Sequence, residues 1–182
     1  MSDIISSNTN LFIDNANTIK KVSFPKVTLV AINTGVSSIN NLFLFISILF
    51  IVILTGHQIT FHYLLLIPMG IITAILAQSI GLIFGIFNVF IRDVGQAVPI
   101  LLQLLFWFTP IVYPISIVPD FLKTLIRYNP IFHVVDCYQQ IILYNSLPNI
   151  MSIFIILFLT ISFSTLSVIL FRKAGREMAD VL

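Results

Sequence analysis

Charged side chains are scarce in this sequence. Its 182 residues include 9 Lys and Arg and 7 Asp and Glu, and together these make up 9% of the chain. Soluble domains carry about 25% charged residues, which help to cover an apolar core with polar surface. The shortage of charge therefore excludes a soluble enzyme, a disordered tail and a nucleic-acid-binding protein. Hydrophobic residues reach 58%, which indicates an integral membrane protein in contact with a lipid bilayer.

Residues and motifs that could build a catalytic or metal centre are also scarce. The single cysteine, Cys137, cannot form a disulfide within the chain and suits the role of a small apolar filler. The histidines, His57, His62 and His133, are scattered at spacings that suit interfacial residues better than metal ligands. The sequence holds no Walker motif and no Ser-His-Asp arrangement. We therefore expect no catalytic residue, no metal site and no cofactor in this chain.

Long uncharged runs predict the number of membrane spans. Between Lys26 and Arg92 lie 65 residues without Lys, Arg, Asp or Glu, and the polar cluster TGHQITFHY interrupts them at 55–63. One helical crossing takes about 20 residues. Continuous apolar runs favour helices over the alternating strands of a barrel. The sequence predicts an all-α fold with about four transmembrane helices, at about 33–54, 64–89, 94–117 and 150–171.

The segment at about 119–142 has a different pattern. It carries charged residues among apolar ones, and the pair Asn129-Pro130 is typical of a helix start, with Asn as the N-cap. Each half of the segment is too short and too charged to span. The sequence therefore predicts two short outer helices, re-entrant or interfacial. Asp93 is predicted to cap the third span, with Gln96 as its capping-box partner.

The basic residues predict the orientation of the chain in the membrane. Four crossings place both termini on one side, and seven of the nine Lys and Arg fall on that side. Basic residues are enriched on the cytoplasmic side of membranes. We therefore expect both termini in the cytoplasm, with a cytoplasmic segment at 1–32, a transmembrane domain at 33–182 and a cytoplasmic tail at 172–182. The seven residues are Lys20, Lys21, Lys26, Arg92, Arg172, Lys173 and Arg176.

Few polar residues lie deep inside the predicted spans. Gln78 and Gln103 are the clearest, and an interhelical hydrogen bond explains each of them better than a substrate contact. No span has a charged residue in its middle, which disfavours ion-coupled and other secondary transporters. Small residues at steps of three and four in the second span predict close helix packing, within one subunit or between two. They are Gly70, Ala74, Ala77, Gly81 and Gly85.

Aromatic residues gather near the outer end of the third predicted span. Phe106, Trp107, Phe108 and Tyr113 suit either a belt at the lipid interface or the lining of a passage. Aromatic rings suit sugars because they offer apolar contact to C–H groups without a fixed charge. Prolines in and after this span predict a kinked or broken outer end.

Three stretches of the sequence resemble the permease subunits of type-2 ABC exporters. They are IKKVSFPKVTLV at 19–30, FNVFIRDVGQAVPILLQLLFWFTPIVYPISIVP at 87–119 and RYNPIFHVVDCYQQIIL at 127–143. The resemblance is to the branch that exports polysaccharides and polyol phosphates, such as O-antigen, capsule and teichoic acid. It runs from about Leu11 to the C-terminus.

The resemblance implies a channel-forming subunit in the bacterial plasma membrane that is not itself an enzyme. It further implies a homodimer, a glycan substrate and a separate ABC ATPase subunit that uses the ATP. The residues that would couple to the ATPase are Lys20, Lys21, Phe24, Pro25, Arg92 and Asp93. We expect a transport path that includes Gln103, Phe106, Trp107 and Tyr113. The outer helices at about 119–142 would act as gate helices, with Pro119, Asp120, Asn129 and Pro130.

The sequence departs from the family pattern in two respects. Family permeases usually have six spans, and the N-terminal segment and the first two spans have no counterpart in this sequence. The family often has Arg where Gln139 stands, so no charge role is carried over to that position. Two alternatives stay open beside glycan export. One is an ABC exporter of drugs or lipids, and the other is a truncated membrane scaffold that transports nothing.

Overall fold

The described part of the chain is mostly helical. The computed structural model describes residues 1–21, 26–55, 60–111, 113, 118–119, 121, 123, 126, 128–175 and 177–178. These residues contain no strand, and the predicted all-α class is confirmed for them. The helices are α1 (Ser2–Asp14), α2 (Ala16–Lys21), α3 (Lys26–Leu54), α4 (Leu66–Phe90), α5 (Val94–Phe108), α6 (Pro130–Ile142) and α7 (Ile150–Ala174). A 3-10 helix at Phe61–Leu65 leads into α4.

Three segments in the described residues are long and apolar enough to cross a bilayer. They are Val27–Leu54, Phe61–Phe90 and Ile150–Ala174. They correspond to the first, second and fourth predicted spans, and they make the chain an integral membrane protein. Their apolar faces are largely exposed, as expected of surfaces that meet lipid.

The third predicted span is shorter than the sequence indicated. Helix α5 has 15 residues and ends at Phe108, whereas the prediction extended to 117. At 1.5 Å per residue it is about 22 Å long, less than the ~30 Å of a hydrocarbon core. Pro110 explains the early end, because the residue before a proline is disfavoured in helical conformation. Thr109 is indeed extended, with φ −102° and ψ 133°.

Helix α1 packs along the second half of α4. The sequence analysis assigned residues 1–32 to one cytoplasmic segment and started the first span at 33, whereas α3 already begins at Lys26. The buried residues of α1 recur at helical spacing and form one apolar face, which explains why this segment docks. Ile5 lies against Gly81 and Phe12 against Gly85, so α1 runs in the same direction as α4.

Helix α4 is the centre of the fold. Its first half carries Leu66 and Leu76, which pack with Ile141 of α6 and Ile156 of α7. Its last turns carry Ile86, which packs with α1 and α2. Any displacement of α4 therefore moves neighbours at both of its ends.

Two of the predicted helix starts can be compared with the structure. The prediction at Asn129 is confirmed, because its Oδ1 accepts from the Ile131 backbone N–H at 3.0 Å and Pro130 opens the helix. The prediction that Asp93 caps α5 is wrong. Its backbone is already helical, with φ −67° and ψ −21°, whereas a side-chain cap needs an extended residue, and no cap bond forms.

Candidate functional site

A buried amide joins α1 to the turn between α4 and α5. Asn88 is 1% exposed, and its Nδ2 donates to the Thr9 carbonyl at 2.9 Å and to Asn10 Oδ1 at 3.1 Å. Its Oδ1 accepts from the Gly95 backbone N–H at 2.8 Å. Buried polar groups are stable only when their hydrogen bonds are made, so these three bonds fix three segments together. We call Thr9, Asn10, Asn88 and Gly95 the inner cluster.

Glycines allow the helices of the inner cluster to approach closely. A methyl group at Gly81 would lie 2.7 Å from Asn8 Cβ, and one at Gly85 would lie 2.5 Å from the Asn8 carbonyl oxygen. A methyl group at Gly95 would lie 2.8 Å from Asn88 Nδ2. All three distances are shorter than any real contact of this kind. Among the alternatives for the small-residue stripe, packing within the chain is therefore confirmed at Gly81 and Gly85.

Two of the predicted coupling residues, Arg92 and Asp93, lie between Asn88 and Gly95 of the inner cluster. Arg92 and Asp93 are exposed in the turn between α4 and α5. Lys20 and Lys21 end α2, with side chains outside the described set, and Phe24 and Pro25 lie outside the described residues altogether.

Helix α2 is anchored immediately before its two lysines. Ile19 is buried in a cluster with Phe12 of α1 and with Ile86 and Val89 of α4. Its backbone N–H donates to the carbonyl of Asn15, the residue before α2, at 3.1 Å. The end of α2 is thus fixed to the same helix end that carries the Arg92-Asp93 turn.

The predicted path residues cluster at the end of α5. Gln103, Phe106 and Trp107 are exposed, and the rings of Phe106 and Trp107 meet edge to face with centroids 5.7 Å apart. Tyr113 Oη donates to the Trp107 carbonyl at 3.2 Å. The aromatic grouping at this helix end is present, and its contact with a substrate stays a prediction.

The predicted gate segment is hydrogen-bonded to the end of α5. Asn129 Nδ2 donates to Thr109 Oγ1 at 3.0 Å, and Gln139 Nε2 donates to the Pro110 carbonyl at 3.0 Å. Pro119 is exposed, and its carbonyl accepts from the Lys123 N–H at 3.1 Å. Asp120 lies outside the described residues. The two bonds from α6 link the gate segment to the aromatic end of α5.

The two glutamines predicted inside spans have different surroundings. Gln78 Nε2 donates to Thr34 Oγ1 of α3, which confirms an interhelical hydrogen bond. Gln103 is exposed on α5. Asn88 was not predicted from the sequence, although an amide in an apolar helix, three residues after Gly85, was the available signal.

A cavity with several polar side chains in its lining opens between α6 and the start of α7. Its volume is about 390 Å³, and its lining residues are Phe132, His133, Asp136, Gln140, Asn149, Met151 and Ser152. Ser152 is 4% exposed, with Oγ 3.2 Å from His133 Nδ1 and 3.4 Å from Asp136 Oδ2. Both the His133 imidazole and the Asp136 carboxylate thus contact the hydroxyl of Ser152. We call this space the outer polar cavity, after the side of the membrane on which the sequence predicts it.

Comparison with known proteins places the chain among membrane transporters. The family model described as ABC-2 type transporter matches residues 2–143. Two proteins named O-antigen export system permease protein RfbA, both from Klebsiella pneumoniae, are each 27% identical over 172 residues. The aligned region covers 94% of this chain and 66% of each relative. The chain thus spans about two thirds of the length of the relatives that it matches.

Proposed function

Because the chain belongs to the ABC-2 type transporter family, we propose that it forms the channel of an ATP-driven exporter. Its cargo is a polysaccharide or a lipid-linked glycan that leaves across the cytoplasmic membrane. The chain itself performs no catalysis, since a separate ABC ATPase subunit hydrolyses the ATP and a second copy of the chain completes the channel. Both termini lie in the cytoplasm. The names of the relatives, O-antigen export permeases, support a glycan as cargo.

The observation that carries this proposal is the inner cluster. An ATPase that pushes on Arg92 and Asp93 moves the start of α5, and the Asn88–Gly95 bond passes that movement to α4. A push on the end of α2 reaches α4 through α1 by the Asn88–Thr9 bond. Both contacts thus drive the same helix, and packed helices shift as rigid bodies rather than deform.

The outer end of the molecule supports a gate. The bonds of Asn129 with Thr109 and of Gln139 with Pro110 carry a movement of α5 to α6. In the proposal, α6 and the segment before it open and close the exit of the channel.

The scarcity of charged residues in the spans suits a cargo that itself carries little charge. The three spanning segments have no acidic or basic residue deep in the membrane, so the chain offers a polymer aromatic and amide contacts instead of fixed charges. The alternative of an inert scaffold was motivated by the two missing spans, which could leave the small-residue face of α4 without a partner. Helix α1 covers Gly81 and Gly85, so this part of the face has a partner within the chain.

Co-purification with the ATPase tests the coupling. The chain is coexpressed with an ABC ATPase subunit from its own source organism, and the complex is purified in detergent. We expect the two to co-purify and the charge reversals Arg92→Glu and Asp93→Lys to weaken that association. Lys173→Glu, an exposed reversal at the end of α7, serves as the matched control. A permease that never retains the ATPase would contradict the proposal.

The cargo is tested in cells that lack the gene. Accumulation of lipid-linked glycan inside the cell, with loss of surface glycan, is the expected result. Normal surface glycan combined with sensitivity to drugs would instead support the drug exporter.

A further inference from the structure

The outer polar cavity is large enough to hold a small molecule. Its volume of about 390 Å³ falls within the range of roughly 300–1,000 Å³ that small-molecule sites occupy. Phe132 and Asp136 lie one turn apart on α6, and Gln140 follows one turn later. The opposite wall is the first turn of α7, with Asn149 at its N-cap.

The polar groups in this cavity are of two opposite kinds. Asp136 is an acceptor when ionised, and the 3.4 Å contact from Ser152 occupies only part of its capacity. Gln140 and Asn149 are oriented as donors. Gln140 Oε1 accepts from Ser146 Oγ at 2.8 Å, and Asn149 Oδ1 accepts from the Met151 backbone N–H at 2.9 Å. The amide NH2 groups are thus what these side chains offer to a ligand.

A ligand for this site must both donate and accept hydrogen bonds. The Asp136 carboxylate repels a phosphate or a carboxylate, and an ammonium group leaves the amide donors without acceptors. Neighbouring hydroxyl groups on a sugar ring satisfy both kinds of partner. The ring of Phe132 and the thioether of Met151 add apolar contact for the C–H face of such a ring.

We propose that the outer polar cavity binds one neutral sugar ring of the departing glycan on the outer side of the membrane. The assignment rests on the proposed function, which gives the cavity its side and its cargo. Asp136 accepts from two hydroxyls of the sugar, and Gln140 and Asn149 donate to others. Ser152 is a positioning residue, since its buried hydroxyl holds Asp136 against α7.

Saturation-transfer NMR on the permease in nanodiscs, with and without its ATPase, tests this site. The probes are methyl α-D-glucopyranoside, methyl α-D-mannopyranoside and methyl β-D-galactopyranoside, with glycerophosphoethanolamine as a lipid-headgroup probe. We expect transfer to the ring protons of at least one glycoside. Asp136→Asn should weaken binding about tenfold, because a charge-assisted hydrogen bond is lost. Tyr144→Phe, an exposed change outside the cavity, should leave binding unchanged.

Four outcomes would overturn the site. They are no transfer to any glycoside, equal transfer in the parent and in Asp136→Asn, equal loss in Tyr144→Phe, and transfer to glycerophosphoethanolamine alone. The last would identify a lipid pocket. If Asp136→Asn does not fold, Phe132→Leu and Gln140→Leu replace it with the same expectation.

The failure of the site and the failure of the proposed function are distinguishable. ATPase co-purification and surface glycan are measured on the same strains. If export is normal but no sugar binds at the cavity, the proposed sugar site is wrong and the proposed function stands. If the permease binds sugar at the cavity but retains no ATPase, the proposed exporter function is wrong and the sugar site is supported.

Discussion

The two polar regions of this molecule are built in opposite ways. In the inner cluster Asn88 is enclosed, and three bonds to two other segments satisfy its side chain. In the outer polar cavity Ser152 is buried, but His133, Asp136 and Gln140 are only half-buried around open space. Both regions lie where one helix meets another, yet only the inner one is closed by glycines.

The difference shows what each region can do. A closed and satisfied amide network holds segments in one arrangement, because breaking it leaves buried polar groups unpaired. Polar groups around a cavity keep bonding capacity for a ligand. In the proposed function the inner region transmits movement and the outer region recognises the cargo. The changes below separate the two regions, beginning with the largest expected effect.

Removing the Asn88 amide should have the largest effect. Asn88→Leu leaves the Gly95 N–H and the Thr9 carbonyl without their buried partner, at a cost of about 1–3 kcal/mol for each group. We expect a clear fall in the thermal unfolding midpoint of the purified protein. The matched control is Asn40→Leu, which replaces an exposed amide on α3 and should cost nothing measurable.

A cysteine pair tests the mechanical role of the same residue. In a Cys137→Ala background, Asn10→Cys with Asn88→Cys should lose export when reduced and regain it when a disulfide joins α1 to α4. If the Asn88→Leu variant is as stable as the parent protein, the hydrogen bonds of Asn88 do not stabilise the contact of α1 with α4. Export that is indifferent to the disulfide would show that it transmits nothing.

A methyl group at Gly81 should have the next largest effect. Gly81→Ala places the new Cβ 2.7 Å from Asn8 Cβ and 2.9 Å from the Ile5 carbonyl oxygen, so α1 must shift. Overpacking of this kind costs about 1–3 kcal/mol. Gly35→Ala on α3 is the control, since nothing lies within 4 Å of its new Cβ, and higher helix propensity should stabilise it slightly. Equal unfolding midpoints for the two variants would contradict the close contact of α1 with α4.

The sequence predicted the features that depend on local pattern. Continuous apolar runs located α3, α4 and α7 to within a few residues at most ends, because a spanning helix needs uninterrupted apolar length. The pair Asn129-Pro130 located the start of α6, because an N-cap and the residue after it act locally. Gln78 was recognised as an interhelical donor, since an amide among apolar residues needs a partner.

The features that depend on distant contacts were not predictable in this way. The docking of α1 requires Asn8 to meet Gly81, residues far apart in the sequence whose pairing no periodicity encodes. The Asn88 bonds likewise join segments 78 and 79 residues apart. At Asp93 the local rule failed, because the tight turn after α4 holds this residue in helical conformation. The outer polar cavity arises only when α6 and α7 are placed side by side.

Weakening the α5–α6 joint should have a smaller effect. Asn129→Ala removes both the cap bond to Ile131 and the bond to Thr109 Oγ1, at a cost of about 1 kcal/mol. Asn129→Ser keeps a capping oxygen and loses only the Thr109 bond, so it isolates the joint. We expect faster hydrogen exchange at the start of α6 in both variants and a lower unfolding midpoint mainly in Asn129→Ala. Asn149→Ser at the start of α7 is the control. Equal hydrogen-exchange rates at the start of α6 in all three variants would contradict a link between α5 and α6 through Asn129.

Cysteine labelling tests which end of the molecule faces the outside of the cell. The substitutions it uses are at exposed positions and should not change the stability of the protein. Cys137 is fully buried, and burial, with a contribution from Asp136, raises its thiol pKa to about 11. Near neutral pH almost no thiolate is present, so the native cysteine should be silent to maleimide until the protein is denatured. Leu147→Cys, at an exposed position before α7, should react in intact cells, and Lys173→Cys only after permeabilisation. The reverse pattern would invert the topology and turn the outer polar cavity toward the cytoplasm.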